Sequence, residues 1–347
     1  MTPGAEVQGR IKCIVWDLDN TVWDGILLEG DPCTVRPGVR ETLEELDRRG
    51  ILHSIASRND AEAALSRLRE VGMLDYFLFP QISWNAKSDS VRRIAGALSF
   101  GLDALAFADD QEFERAEVAH AHADVLCLDP TDPTCWLDLP EFTPRFVTEE
   151  SRHRRELYRS QLARDESEQQ FEGTNQEFLS GLGMVFSIRR ANRSDLQRAE
   201  ELTVRTNQLN STGRTYTYDE LDALVHEPDH LLLVADLEDR FGSYGTIGLA
   251  LVELGSPAWH LRLLLMSCRT MSRGVGTILL NHIMDLALQA GVRLRADLIE
   301  TGRNRLMQIT YAFAGFVEVE REGAHVVLES DLALVQKPAD YVEVRVS

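Results

Sequence analysis

Between residues 11 and 128, short apolar runs alternate with helix-length amphipathic segments, and this alternation restricts the fold more than any other feature. Ile11–Trp16, Ile51–Ala56, Tyr76–Phe79, Ala104–Phe107 and Asp124–Leu128 read as strands. Gly38–Arg49, Asp60–Glu70 and Asp89–Leu98 read as helices. Strands that alternate with helices bury both faces only as a parallel, doubly wound α/β sheet with helices on each side. Ligands of such sheets meet the carboxyl ends of the strands, so the residues just after each run are the first candidates for chemistry.

The rest of the chain has another texture. Residues 148–170 are dense in interleaved charge without a wide apolar stripe, which predicts a solvated helical connector. After Gly183 the strand-like runs Val185–Arg189, Leu231–Asp236, Gly245–Glu253 and His260–Met266 precede a helix over Gly274–Ala290. Paired strands over Phe316–Glu320 and His325–Glu329 close the pattern, which predicts an α+β layer. A length of 347 residues accommodates this division into 1–147, a linker over 148–182, and 183–347.

Composition narrows the functions. The net charge is −20, of which the first 150 residues carry −14, so a basic nucleic-acid groove is excluded as the main surface. No apolar run approaches 18 residues, and the N-terminal residues carry no apolar targeting segment, so a soluble cytoplasmic protein with no membrane partner is expected. Five cysteines without CxxC spacing fit reduced thiols rather than a disulfide framework or a zinc site.

The end of the first strand run is chemically dense. Asp17 and Asp19 lie two residues apart and share a face as the chain leaves the sheet, with Thr21 just beyond. Converging carboxylates need a cation, and hard oxygen ligands suit Mg²⁺. Asp109 and Asp110 form a second acidic pair after the run Ala104–Phe107. Ser57 follows the run Ile51–Ala56, and Lys87, one of only three lysines, falls in a predicted loop after Trp84.

This order resembles the haloacid dehalogenase (HAD) phosphatase superfamily: DxDxT at Asp17, Asp19 and Thr21, then Ser57, Lys87 and the pair Asp109–Asp110. The resemblance implies Asp17 as nucleophile, Asp19 as general acid and base, Thr21, Ser57 and Lys87 around the phosphoryl oxygens, and Mg²⁺ on Asp17, Asp19, Asp109 and Asp110. Trp16 and Asp24 are unusual flanks of the first motif, but neither removes a catalytic group. The gaps that carry a cap domain in this superfamily are short here, 30 residues from Ser57 to Lys87, which predicts an open site for a large substrate.

In the second half, Arg273-Gly274-Val-Gly276 opens a predicted helix and resembles the glycine signature of the GNAT acyltransferase fold. There, backbone N–H groups at a helix N-terminus cradle an anion. Asn304 through Tyr311 to Gly315-Phe316 resembles the closing GNAT segment. Cys268, with Arg269 and Arg273 nearby, stands beside this turn, where positive groups lower a thiol's pKa; the sequence reads equally well as a nucleophile or a buried core cysteine. Cys13 reads as core. Arg205, Asn207 and Asn210 are polar candidates for holding phosphate or carboxyl oxygens, although a capped helix end looks similar.

The fusion of a capless HAD-like half with a GNAT-like half, carrying RTNQLN and SCR, resembles the FkbH-like family. That resemblance implies a glyceryltransferase/phosphatase of polyketide and antibiotic biosynthesis. It would take D-glyceryl from 1,3-bisphosphoglycerate, remove phosphate, and load glyceryl through a cysteine thioester onto the phosphopantetheine thiol of an acyl carrier protein. His260 and His325 are candidate bases, and Arg262, Arg269, Arg273, Arg303 and Arg305 a candidate carrier-docking patch. The alternatives are a plain HAD phosphatase with a GNAT-like binding domain, and a CoA-dependent N-acetyltransferase.

Overall fold

The computed structural model describes residues 8–330, 332–337 and 339–347, with the side chains of Cys268 and Ser272 outside the described set. The chain divides into two compact units, Met1–Arg159 and Ser160–Ser347. The division falls inside a helix of the charged segment.

The first unit is built on β1 (Cys13–Trp16), β2 (Leu52–Ser57), β3 (Gln81–Ile82), β4 (Leu105–Ala108) and β5 (Leu126–Leu128). They form one sheet in the order β3-β2-β1-β4-β5, every pair parallel. Helices α1 (Val39–Arg48), α2 (Ala61–Glu70), α3 (Lys87–Leu98) and α4 (Glu112–Ala121) connect them. This is the expected doubly wound α/β architecture. The strand order reverses between β1 and its neighbours β2 and β4, which opens a crevice at the carboxyl ends of those three strands. Between Asp19 and α1 the chain forms a small hairpin, Trp23–Asp24 with Thr34–Val35, and a single 3₁₀ turn, Leu27–Glu29.

Strand β1 is buried along its whole length, as its apolar run requires. Trp16 packs against Trp136, ring centroids 5.2 Å apart, and donates its indole N–H to His53 Nδ1 at 3.1 Å. Burial pulls His53 down to about 3, so the ring accepts that bond as a neutral imidazole. One expected strand is displaced. Leu74–Tyr76 is a 3₁₀ turn, Phe77 makes an isolated bridge to His53, and the strand proper starts at Gln81. Phe79 adopts φ +50, a left-handed conformation that no strand tolerates.

The charged segment forms α5 (Arg154–Gln169), but it is not simply solvated. In the second unit the Arg164 side chain is 1% exposed, makes a bidentate pair with Asp239 at 2.8 and 2.9 Å, and stacks over Tyr244. An ion pair with ring stacking buries this helix face where an apolar stripe is lacking.

The second unit carries β6 (Met184–Arg190), α6 (Leu196–Arg205), α7 (Tyr218–His226), β7 (His230–Asp239), β8 (Gly242–Glu253) and β9 (Ala258–Met266). It continues with α8 (Val275–Gln289), β10 (Arg293–Ile299), α9 (Arg305–Phe313), β11 (Val317–Glu322), β12 (His325–Ser330) and β13 (Val342–Val346). The sheet order is β11-β12-β10-β9-β8-β7-β6-β13, antiparallel except for β9 with β10 and β6 with β13. Separate apolar clusters line its two faces, one under α8 and one under α6 and α7. This is the α+β layer expected from the paired strand runs.

Direct pairing of β9 with β10 ends at Leu261 and Ala296. Beyond that point the chain around Leu209–Ser211 joins the two strands. Met266 N donates to Leu209 O, Ser211 N to Leu264 O, and Ile299 N to Ser211 O, each at 2.9 Å.

Candidate active site

In the first unit the carboxyl ends of β1, β2 and β4 bring the expected acidic and basic residues together. Lys87 Nζ lies 2.8 Å from Asp17 Oδ1 and 2.5 Å from Asp109 Oδ2. The three side chains are at most 6% exposed. Lys87 is the first residue of α3, not a loop residue as the sequence reading had it. Its helical start fixes the stem and aims the ammonium into the crevice. Ser57 is the last residue of β2, buried, and acts to lower the pKa of the Asp17 carboxyl. Asp60, not Ser57, caps α2 by accepting from Ala63 N.

The electrostatics follow from burial. Burial pushes Asp17 above the usual carboxylate range, and Lys87, Ser57 and the Leu18 backbone only partly offset it. Asp109 is likewise raised by burial and by the Asp17 charge, and Asp110 by burial and by Asp109. Burial alone would lower Lys87, but Asp17 and Asp109 beside it raise it, so its ammonium is retained.

Asp17, Asp109 and Asp110 each offer a carboxylate oxygen, all within 4.8 Å of one another. Asp110 Oδ1 is buried without a hydrogen-bond partner. One ammonium among three converging carboxylates, plus an orphaned buried oxygen, is a donor set that fits a hard divalent cation such as Mg²⁺.

Two expected roles differ. Asp19 is not in the metal-competent trio, because its carboxylate is already held. Trp23 Nε1 donates to Oδ1 at 2.8 Å, Leu27 N to Oδ1 at 3.3 Å, and Asn59 Nδ2 to Oδ2 at 3.0 Å. Thr21 is fully buried, and its hydroxyl accepts from Asp110 N at 3.0 Å, so it holds the acidic loop rather than facing a ligand. Arg115 supports the same loop, donating to the carbonyls of Asp109 and Asp110 at 2.6 and 3.0 Å. The sequence reading missed Trp23, Asn59 and Arg115. Asn59, two residues beyond Ser57, was findable as a polar residue just past a strand end.

In the second unit the expected residues scatter. The backbone of Cys268 opens a 3₁₀ turn, Cys268–Arg273, directly after β9, while the nucleophile reading concerns a side chain outside the described set. Cys13 is fully buried, and burial pushes its thiol far up, as a core residue's would be. Gly274, at φ +72, caps α8 without any side-chain hydrogen bond. With Gly276 and Thr277 it lines a cavity of about 110 Å³ that also includes Leu209 and Met266. A Cβ at Gly276 would lie 3.4 Å from Met266 Cγ, an ordinary van der Waals contact, so space alone does not require glycine there.

Arg273, expected at the anion turn, is instead wholly buried over Phe178 and donates to Glu168 at 2.9 Å. Arg269 donates to Tyr244 O at 2.9 Å. Arg205 pairs with Glu201 at 3.0 Å, and Asn207 is exposed. Asn210 is not a ligand group: it is fully buried, and Oδ1 accepts from Thr212 N and Gly213 N. It shapes the turn at the end of the segment that joins β9 and β10, and Asn304 Nδ2 donates to the carbonyls of Asn210, Ser211 and Ile299. His260 and His325 converge on Asp297, each with Nε2 2.9 Å from its Oδ1.

No family model and no curated protein matches this chain. Among solved structures it is similar to the N-terminal, phosphatase-containing part of a Bacteroides fragilis protein complexed with Mg, at 29% identity and TM-score 0.34. That match covers 39% of this chain and spans 40% of the other chain. It is also similar to the ribosomal-protein-S18-alanine N-acetyltransferase of Escherichia coli, at 14% identity and TM-score 0.35, covering 45% of this chain and 97% of that one. The GNAT domain of an S. lividans protein gives 18% identity and TM-score 0.34, covering 41% and 88%. No helix among the described residues is long and apolar enough to cross a membrane.

Proposed function

We propose that the chain is a two-site enzyme, a HAD-type phosphatase in the first unit and a GNAT-like acyltransferase in the second. The observation that carries the reading is the buried Asp17–Lys87–Asp109 constellation with the unpartnered Asp110 oxygen, at the switch point of a parallel sheet. Asp17 attacks the phosphorus, the ester P–O bond breaks, and the leaving oxygen takes a proton from Asp19. Asp19 then accepts a proton from water as that water attacks the aspartyl phosphate, which releases phosphate and restores Asp17. Lys87 and Ser57 hold the transferring oxygens. Mg²⁺, with Asp17, Asp109 and Asp110 as its ligands, supplies charge neutralisation when bound.

The full proposal follows the FkbH-like resemblance. The substrate is 1,3-bisphosphoglycerate, whose acyl phosphate is already activated for thiol attack and whose second phosphate is an ester that needs a phosphatase. The acceptor is the phosphopantetheine thiol of an acyl carrier protein of polyketide biosynthesis, with Cys268 as the intermediate acyl carrier. The short spans between the motif residues, with no cap-sized insertion from Asp19 to Lys87, suit a bulky, tethered substrate. The test is to incubate the protein with Mg²⁺, 1,3-bisphosphoglycerate and a pantetheinylated carrier protein and to weigh both proteins. Glyceryl on the carrier, and on wild-type enzyme but not on Cys268→Ala, supports the reading. No adduct on either protein, or consumption of acetyl-CoA instead, overturns it.

A further inference from the structure

Three strands of the second unit bring two imidazoles to one carboxylate oxygen. His260 on β9 and His325 on β12 each place Nε2 2.9 Å from Asp297 Oδ1 on β10. Arg262 donates to Asp297 Oδ2 at 3.1 Å. Burial alone would raise Asp297, but hydrogen bonds from His260, His325 and Arg262 outweigh it and hold the carboxylate at about 2. A fixed anion there selects the Nε2–H tautomer of each ring and leaves Nδ1 as the accepting atom.

The two histidines differ in access. The His325 side chain is 42% exposed and lines a cavity of about 370 Å³. Its Nδ1 has no hydrogen-bond partner among the described residues. Facing it are Thr212, Arg214, Tyr216, His230, Glu253 and Arg262, over an apolar floor. These side chains supply several donors and one acidic acceptor around a space of small-molecule size, a set that complements hydroxyl, carboxylate or phosphate oxygens.

We propose that this cavity seats the small, oxygen-rich acyl group during transfer, with His325 as general base and Asp297 as its positioning residue. The proposal rests on the acyl-transfer reading of the second unit. As the acceptor sulfur bonds to the acyl carbon, its proton passes to His325 Nδ1. The bond from that carbon to its phosphate oxygen or thioester sulfur breaks, and the proton is returned to the departing atom.

The experiment compares wild type, His325→Gln and Asp297→Asn as full-length proteins, following carrier loading and phosphate release together. His325→Gln is expected to slow loading about 100-fold or more while phosphate release at the first unit is unchanged. Asp297→Asn is expected to slow loading less and to displace its pH profile. Unchanged loading in His325→Gln overturns the proposal. If wild type loads no carrier, the acyl-transfer reading itself fails, and the His325 ring resonance titrated with 3-phosphoglycerate decides the cavity's role. Saturable movement of that resonance, absent in Arg262→Ala, keeps the cavity as a site for such compounds, and no movement overturns it.

Discussion

Lys87 Nζ sits 2.8 Å from Asp17 Oδ1 with both side chains almost fully buried, and the same ammonium also contacts Asp109. One cation therefore serves two buried anions. Lys87→Met leaves Asp17 and Asp109 without a cationic partner, and breaking such a buried pair costs about 3–5 kcal/mol. Chemical denaturation in chelator should show a loss of that size. Added Mg²⁺ should restore part of it, because the same carboxylates gain a cation. A variant as stable as wild type in chelator contradicts the pairing.

Asp19 is held by Trp23, Leu27 and Asn59. Asn59→Ala removes one donor and loosens the carboxylate proposed to move the proton. Its kcat for phosphate release should fall about 10- to 100-fold with KM within about twofold, since Asn59 reaches Asp19 rather than substrate. A change in KM alone would place Asn59 in binding instead.

Arg164 and Asp239 form a bidentate pair that is at most 1% exposed. Arg164→Met should destabilise the protein by about 3–5 kcal/mol, whereas surface pairs such as Arg345–Glu343 should contribute less than about 1 kcal/mol. Urea midpoints of Arg164→Met and Arg345→Met check the contrast, and equal small effects contradict it.

The Asp297 carboxyl titrates near 2, below its ordinary value of about 4. A depressed carboxylate contributes stability that is full above about pH 4 and is lost as pH falls from 4 towards 2. The stability gap between wild type and Asp297→Asn should therefore be widest at neutral pH and close through that window. Thermal midpoints from pH 7 to 2 measure it, and a gap that widens in acid contradicts the assignment.

Much of the first unit was legible because its signals are local. Apolar runs of strand length ending in Asp17, Ser57 and Asp109 place these residues at strand ends whatever the details of packing. The displaced third strand shows the limit: Phe79 turns into the left-handed region for tertiary reasons that its apolar neighbours do not encode. The grip on Asp19 was hidden because Trp23 and Asn59 reach it from separate segments and look like ordinary core and loop residues. In the second unit, side-chain chemistry misled. Arg273 reads as an anion ligand but stacks on Phe178, and Asn210 reads as a ligand but folds a turn. Long polar side chains declare their charge in sequence, but only the folded neighbours decide whether that charge faces a ligand or the interior.

The central claim is that Asp17 is the phosphoryl-accepting nucleophile of a Mg²⁺-assisted site. Phosphate release from a phosphate monoester, followed with and without Mg²⁺ in wild type and Asp17→Asn, tests it most directly. The account predicts Mg²⁺-dependent release by wild type and a loss of about 10³-fold or more in Asp17→Asn with the fold intact. Release that persists undiminished in Asp17→Asn would contradict it.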